Sequence, residues 1–211
     1  MLRCERPWAA LGLAAGPAAF VAAWSVGGTR TPGYSAVDDA ISRLAAVGAP
    51  ERTLMTAGFV VYGAAVLAGS VALRRSSLSA AALPAAVNAL ATLAVAATPL
   101  DRSATVDLLH GVAATTGYVS LALVPAVAAG PLARLGHRRA AGASWAVAGV
   151  AAACLALTAT PAPTGLFQRL GLTTVDAWLV ACGIALWPAR PAGQRRSSRR
   201  KMSLGPRSQV R

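Results

Sequence analysis

The chain has 211 residues, 55% of them apolar and only 13% charged, with a mean hydropathy of +0.54. Soluble domains carry about 25% charged residues, so a surface bathed in water on every side is excluded; the apolar content excludes disorder, and three cysteines exclude a disulfide scaffold. A net charge of +13 invites a nucleic-acid reading, which its distribution along the chain then removes.

Six runs approach the roughly 20 apolar residues that cross a bilayer core. They are Pro7–Gly27, Leu54–Leu73, Leu78–Thr98, His110–Gly130, Ala140–Thr160 and Leu170–Trp187. The fourth is free of acidic and basic residues after His110, and among the others only the sixth carries one, Asp176. Ala, Gly and Val dominate, and such small residues let helix backbones approach closely. With linkers as short as Arg74–Ser77, no amphipathic helix remains to cover six such runs in water. Thr31-Pro32, Thr98-Pro99 and Thr160-Pro161 lie just beyond spans one, three and five, where proline stops a helix. Pro17, Pro84 and Pro125 fall inside spans, which bundles tolerate when neighbours satisfy the freed carbonyls. The first run is longer than a signal-peptide core and no clean A-x-A site follows, so it is expected to be retained.

The basic residues divide by side. Arg3 and Arg6, Arg74 and Arg75, Arg134, Arg138 and Arg139, and eight in the tail Ala189–Arg211 make fifteen of twenty; Arg30, Arg43, Arg52, Arg102 and Arg169 lie opposite. The positive-inside rule then predicts an inner (plasma) membrane protein with both termini cytoplasmic. The expected division is a six-helix domain over residues 1–188 and a basic, disordered cytoplasmic tail over residues 189–211. Membrane lipids are the expected partners, with anionic inner-leaflet lipid at the tail. No aromatic residue interleaves with the tail arginines, which argues against nucleic acid. Nothing in the sequence speaks to oligomeric state.

The candidate chemistry sits on the outer side. In the loop Gly28–Thr53, Ser35-Ala36-Val37-Asp38 reads as a capping box, and Val37, Ile41 and Leu44 recur at helical spacing. This predicts a short amphipathic helix on the outer surface or capping the bundle, with Asp38–Ser42 and Asp39–Arg43 at i, i+4. The second loop carries Asp101 and leads to Asp107 and His110, three residues apart, which would share a helical face. The third loop is expected to hold Gln168 and Arg169. Asp176 follows roughly 10 Å deeper along the helix. An acid at that depth is a functional-site hypothesis by default. Asn88, midway along span three, reads as interhelical glue.

Ser42, Asp101 and His110 are therefore candidate catalytic residues, and Gln168, Arg169 and Asp176 candidate ligand-binding residues. Arg43, Arg102 and Arg169 are candidate phosphate holders. A zinc hydrolase needs three protein ligands, and the bundle offers one histidine. A serine hydrolase has its residue types in Ser42, His110 and an Asp, without a G-x-S-x-G elbow. A proton-coupled site at His110 and Asp176 is equally permitted. No P-loop, G-x-G-x-x-G or H-E-x-x-H occurs, Cys4, Cys154 and Cys182 have no metal spacing, and no cofactor or metal is expected.

Gly33-Tyr34-Ser35, Ala40-Ile41-Ser42-Arg43-Leu44 and Gly48-Ala49-Pro50 together resemble the first-loop signature of a bacterial six-span membrane family catalogued as domain of unknown function 998. Pro99-x-Asp101, His110-Gly111, Gly165-Leu166-Phe167-Gln168-Arg169 and Trp178 extend the resemblance over about residues 7–188. The family in turn distantly resembles the Frag1/DRAM/Sfk1 membrane group. Where it usually carries an acidic residue and then Leu-Gly after the serine, this chain has Arg43-Leu44-Ala45, and Thr98-Pro99 stands for Phe-Pro. The resemblance implies an all-α, six-helix polytopic bundle and brings no established activity. The reading that follows is a membrane protein with an outward-facing polar pocket for a lipid headgroup or small amphiphile. The alternatives are a membrane-embedded hydrolase and a proton-linked transporter or accessory subunit.

Overall fold

In hydrocarbon a segment must pair its own backbone N–H and C=O groups, so apolar runs of this length fold as helices. A computed structural model describes residues 7–187, and six of its helices are long and apolar enough to cross a membrane. The chain is a multi-pass, all-helical membrane protein. The helices are α1 (Pro7–Arg30), α2 (Arg52–Arg74), α3 (Ala82–Ala97), α4 (Ala104–Arg134), α5 (Arg138–Thr158) and α6 (Thr164–Leu186). Short 3-10 turns occupy Ile41–Ala45 and Ser79–Ala81. Cys4 and the basic tail Ala189–Arg211 lie outside the described residues.

Each helix packs on its sequence neighbours, and α6 returns to α1, so the six form a closed ring. Large apolar side chains point outward, Leu83 and Ile184 being about 70% exposed in the isolated chain (72% and 69%). Acyl chains are the natural solvent for that surface. Between helices there is no hydrophobic drive in lipid, and close packing of small residues replaces it. Gly12 of α1 shows how close: a Cβ there would strike the backbone carbonyl of Ala65 in α2. Gly16, one turn on, rests against Tyr62 and Val66 of the same helix.

Three boundaries depart from the sequence expectation. Helix α4 begins six residues before His110, because the Ser103 hydroxyl accepts from the Val106 N–H at 3.3 Å and caps it. Pro84 falls in the first turn of α3, where its missing N–H costs nothing. Helix α6 begins at Thr164, just after Pro163, so Gln168 and Arg169 belong to the helix and not to the loop before it.

The first loop departs most. The Ser35–Asp38 reciprocal bonds do form, at 2.6 and 3.1 Å. They close an isolated turn, since Ala40 is extended (φ −60, ψ 144) and interrupts it. Only Ile41–Ala45 coils, as a 3-10 turn with Ile41, Leu44 and Ala45 buried, while Val37 is exposed. Of the two expected placements, on the outer surface or capping the bundle, the segment takes the second, as a short 3-10 stopper seated in the end of the ring. Asp39 accepts from the Ser35 N–H at 2.8 Å, and Arg43 turns to Asp101, so their expected i, i+4 pair is not made.

Replacing Gly12 by Ala is expected to cost about 1–3 kcal/mol, because a carbonyl oxygen cannot step aside. Gly142→Ala in α5, where a Cβ meets nothing within 4 Å, should be neutral or stabilising by up to about 1 kcal/mol. Thermal unfolding of the two variants in detergent checks the contrast.

Candidate functional site

The ring surrounds a small cavity of about 40 Å³. That is room for about three waters. Its wall comes from α1, α2, α3, α4, α6 and the 3-10 stopper. Ser42, His110, Gln168 and Asp176 all line it. Asp101 and Arg169 do not.

Asp101 lies on the surface in left-handed backbone (φ 64), its N–H bound to Asp107 Oδ1 at 2.9 Å. Its carboxylate pairs with Arg43 at 3.0 Å, both side chains about half exposed, which is worth at most about 1 kcal/mol. Asp107 is thereby occupied away from His110. The His110 Nδ1 instead meets the Thr98 carbonyl at 2.7 Å. A carbonyl can only accept, so Nδ1 carries a proton. No hydrogen bond joins Ser42 to His110 among the described residues, and no group of three His, Cys, Asp or Glu side chains gathers there to hold a metal.

Deeper in the cavity the polar groups largely satisfy one another. Tyr62 of α2 donates to Asn88 Oδ1 at 3.1 Å, and Asn88 Nδ2 donates to the Gly117 carbonyl at 3.0 Å. Asn88 thus ties α2, α3 and α4 together, as its position midway along span three leads one to expect. The Asp176 carboxyl lies beside Tyr62, yet one of its oxygens is an exception. The residue is 3% exposed, and its Oδ1 has no hydrogen-bond partner. Phe20, Phe59 and Tyr62 form an aromatic wall, with ring centroids 5.6 and 5.3 Å from Phe20.

Gln168 and Arg169 hold the stopper in place. Gln168 Oε1 accepts from the Ile41 N–H at 2.6 Å, and its amide donates to the Tyr118 hydroxyl. Arg169 Nη1 reaches the carbonyls of Ala36 (2.7 Å), Asp39 (3.0 Å) and Gly165 (3.0 Å), and Nη2 donates to the Tyr34 hydroxyl. The guanidinium lies over the rings of Trp24 and Tyr34, 5.2 and 5.5 Å from their centroids. No carboxylate pairs with it among the described residues. Gly165 keeps this space clear, since a Cβ there would run into the Asp39 and Ala36 carbonyls. The loop in turn caps α6, the Val37 carbonyl accepting from the Leu166 N–H at 2.7 Å. Arg169 is therefore committed to the loop, and Arg43 to Asp101 at the surface.

The sequence reading missed Tyr62, Tyr118 and Thr92 in the cavity, and Trp24 and Tyr34 around Arg169. Their residue types carry no spacing signal, because each comes from a different element.

A family model described as Protein of unknown function (DUF998) matches residues 14–185. The chain belongs to the DUF998 family. The match spans the stopper, the cavity wall and the Gln168–Arg169 clasp of this DUF998 chain. No curated protein and no solved structure matches it.

Burial raises the Tyr34 hydroxyl above the ordinary tyrosine value of 10.0, outweighing the nearby Arg169 charge, which lowers it. The phenol stays neutral at physiological pH, able to donate towards the carbonyls of Asp39 and Ala40. A group with a raised folded-state pKa stabilises below its unfolded value and loses that contribution as pH rises through the folded one. Loop protection against limited proteolysis should therefore fall above about pH 10, and Tyr34→Phe should remove that alkaline limb. Arg169→Lys should expose the loop at neutral pH and cost about 3 kcal/mol, since an ammonium cannot serve three carbonyls and two ring faces.

Proposed function

We propose that this DUF998 chain binds the polar end of a small amphiphile, such as a lipid headgroup, inside the ring, with Asp176 as its principal contact. The observation that carries this reading is the Asp176 Oδ1. A carboxyl oxygen buried at membrane depth without a partner is costly. Here it faces a cavity that other polar side chains share. An occupant that supplies hydrogen-bond donors relieves that cost.

The arginine distribution supports a chain in the inner (plasma) membrane with both termini cytoplasmic, so that the stopper end faces outward. On this reading residues 1–188 are the binding domain. The tail 189–211 lies along anionic lipid of the inner leaflet. His110 and Ser42, which line the cavity, are ligand contacts.

Two measurements test the proposal. Native mass spectrometry of protein released from its own membranes should show a co-purified small molecule, at least about tenfold depleted in Asp176→Asn. A wild-type spectrum without adducts, or an adduct indifferent to Asp176, refutes the binding reading. For topology, in a background with Cys4, Cys154 and Cys182 changed to Ala, an impermeant maleimide should label Arg102→Cys in intact cells. Arg139→Cys should react only after permeabilisation; the reverse pattern would invert the orientation.

A further inference from the structure

Three chambers lie in series. The cavity shares Tyr118, Leu121, Gln168 and Leu172 with a second chamber between α4, α5 and α6. That chamber shares Ala122 and Leu155 with an open groove on the membrane-facing side of α4 and α5. The groove is floored by small residues such as Ala148, Gly149 and Ala152 and flanked by Leu123 and Trp145. The three spaces thus adjoin one another between the buried carboxyl and the acyl-chain region, with the hydrogen-bonded Tyr118–Gln168 pair in the wall between the first two. Their character changes along the way, from polar and aromatic to wholly apolar.

The chemistry left over in the cavity says which head belongs there. The Asn88 amide is bound to Tyr62 and Gly117 and the Gln168 amide to Ile41 and Tyr118, each keeping a second N–H. Thr92 has donated its hydrogen to the Asn88 carbonyl at 2.9 Å, leaving oxygen lone pairs. His110 has committed its Nδ1 proton to Thr98. What remains is Asp176 Oδ1, the Thr92 Oγ1 lone pairs, the hydroxyls of Ser42 and Tyr118 and one N–H on each amide, and the one acid among them is the Asp176 carboxyl. The one guanidinium close at hand, Arg169, is outside the lining and tied to the loop. An anionic headgroup would meet the Asp176 carboxyl. A primary ammonium has three N–H donors and a positive charge to offer, and the aromatic wall suits a cation as well.

We infer that the occupant is a single-chain primary amine, its ammonium in the cavity at Asp176 and its alkyl chain leaving between α4 and α5 through the second chamber. The inference rests on the binding function proposed above and names its ligand class and its route.

The test uses the full chain in phosphatidylcholine nanodiscs, with isothermal titration against empty nanodiscs as the blank. Dodecylamine, butylamine, dodecyltrimethylammonium and dodecyl phosphate are the probes. Dodecylamine should bind, and at least about tenfold more tightly than each of the others. Asp176→Asn should remove that preference. Ala122→Phe, which fills the junction of chamber and groove, should weaken dodecylamine about tenfold and leave butylamine unchanged. Leu155→Trp is the second obstruction at the same junction, used if Ala122→Phe does not elute as a monodisperse species. Equal or tighter binding of dodecyl phosphate or of the trimethylammonium overturns the amine assignment. Equal binding of butylamine, or indifference of dodecylamine to both obstructions, overturns the lateral route. Binding of no probe overturns the inference entire. The binding function itself survives each of these failures if native mass spectrometry still finds an adduct that depends on Asp176.

Discussion

A guanidinium shut away from water must find acceptors for its donors, because each one left bare in a low-dielectric setting costs free energy. Arg169 finds them for its two terminal nitrogens in backbone carbonyls of the first loop and of its own helix and in a tyrosine hydroxyl, and only its Nε is left bare. That choice has structural reach. A carboxylate partner would have fixed one side chain; carbonyls fix a stretch of main chain. Once Ala36 and Asp39 are held, the Ile41 N–H falls to Gln168, the Val37 carbonyl reaches the start of α6, and Ile41 and Leu44 sink into the ring. The closed end of the cavity thus depends on a cation that does not touch the cavity.

The cavity exists because the helices are arranged as a ring and not as a filled bundle. In water, apolar attraction between helices would tend to collapse such a space. In lipid that attraction is absent, and contact is set by how closely neighbouring backbones approach. Glycines on α1 and α2 concentrate the approach at the ring's circumference. The interior is left to residues that bind each other across it, Tyr62 to Asn88 and Asn88 to Gly117. Asp176 is what this mutual pairing does not absorb.

The six spans were legible because hydrocarbon imposes one requirement, length of apolar sequence, that a single chain displays openly. Asp176 was legible for the same reason in reverse, as an acid standing alone in such a run. The first loop was misread because its capping box is local and real, whereas the extended Ala40 that ends the turn answers to tertiary bonds from α6. Gln168 and Arg169 were identified as polar residues near a helix end, but their partners in the first loop lie more than 120 positions away in the chain, beyond the reach of any spacing rule. Likewise Asp107 and His110 share a turn of helix, yet each prefers a backbone partner in the preceding loop. Proximity in sequence offered the pair; the left-handed turn at Asp101 dissolved it.

The closure of α6 onto α1 has a further consequence. Gly183, near the end of the last helix, lies against the Ala10 carbonyl near the start of the first. The bundle therefore begins and ends at the same place. A covalent bridge between those neighbouring ends would leave the circle of helices intact, and the polypeptide could then be opened elsewhere, at the bend around Gly136 for instance, without separating any two helices that touch. In that sense the order in which the six helices are threaded is a historical accident of the gene, and the circle is the architecture.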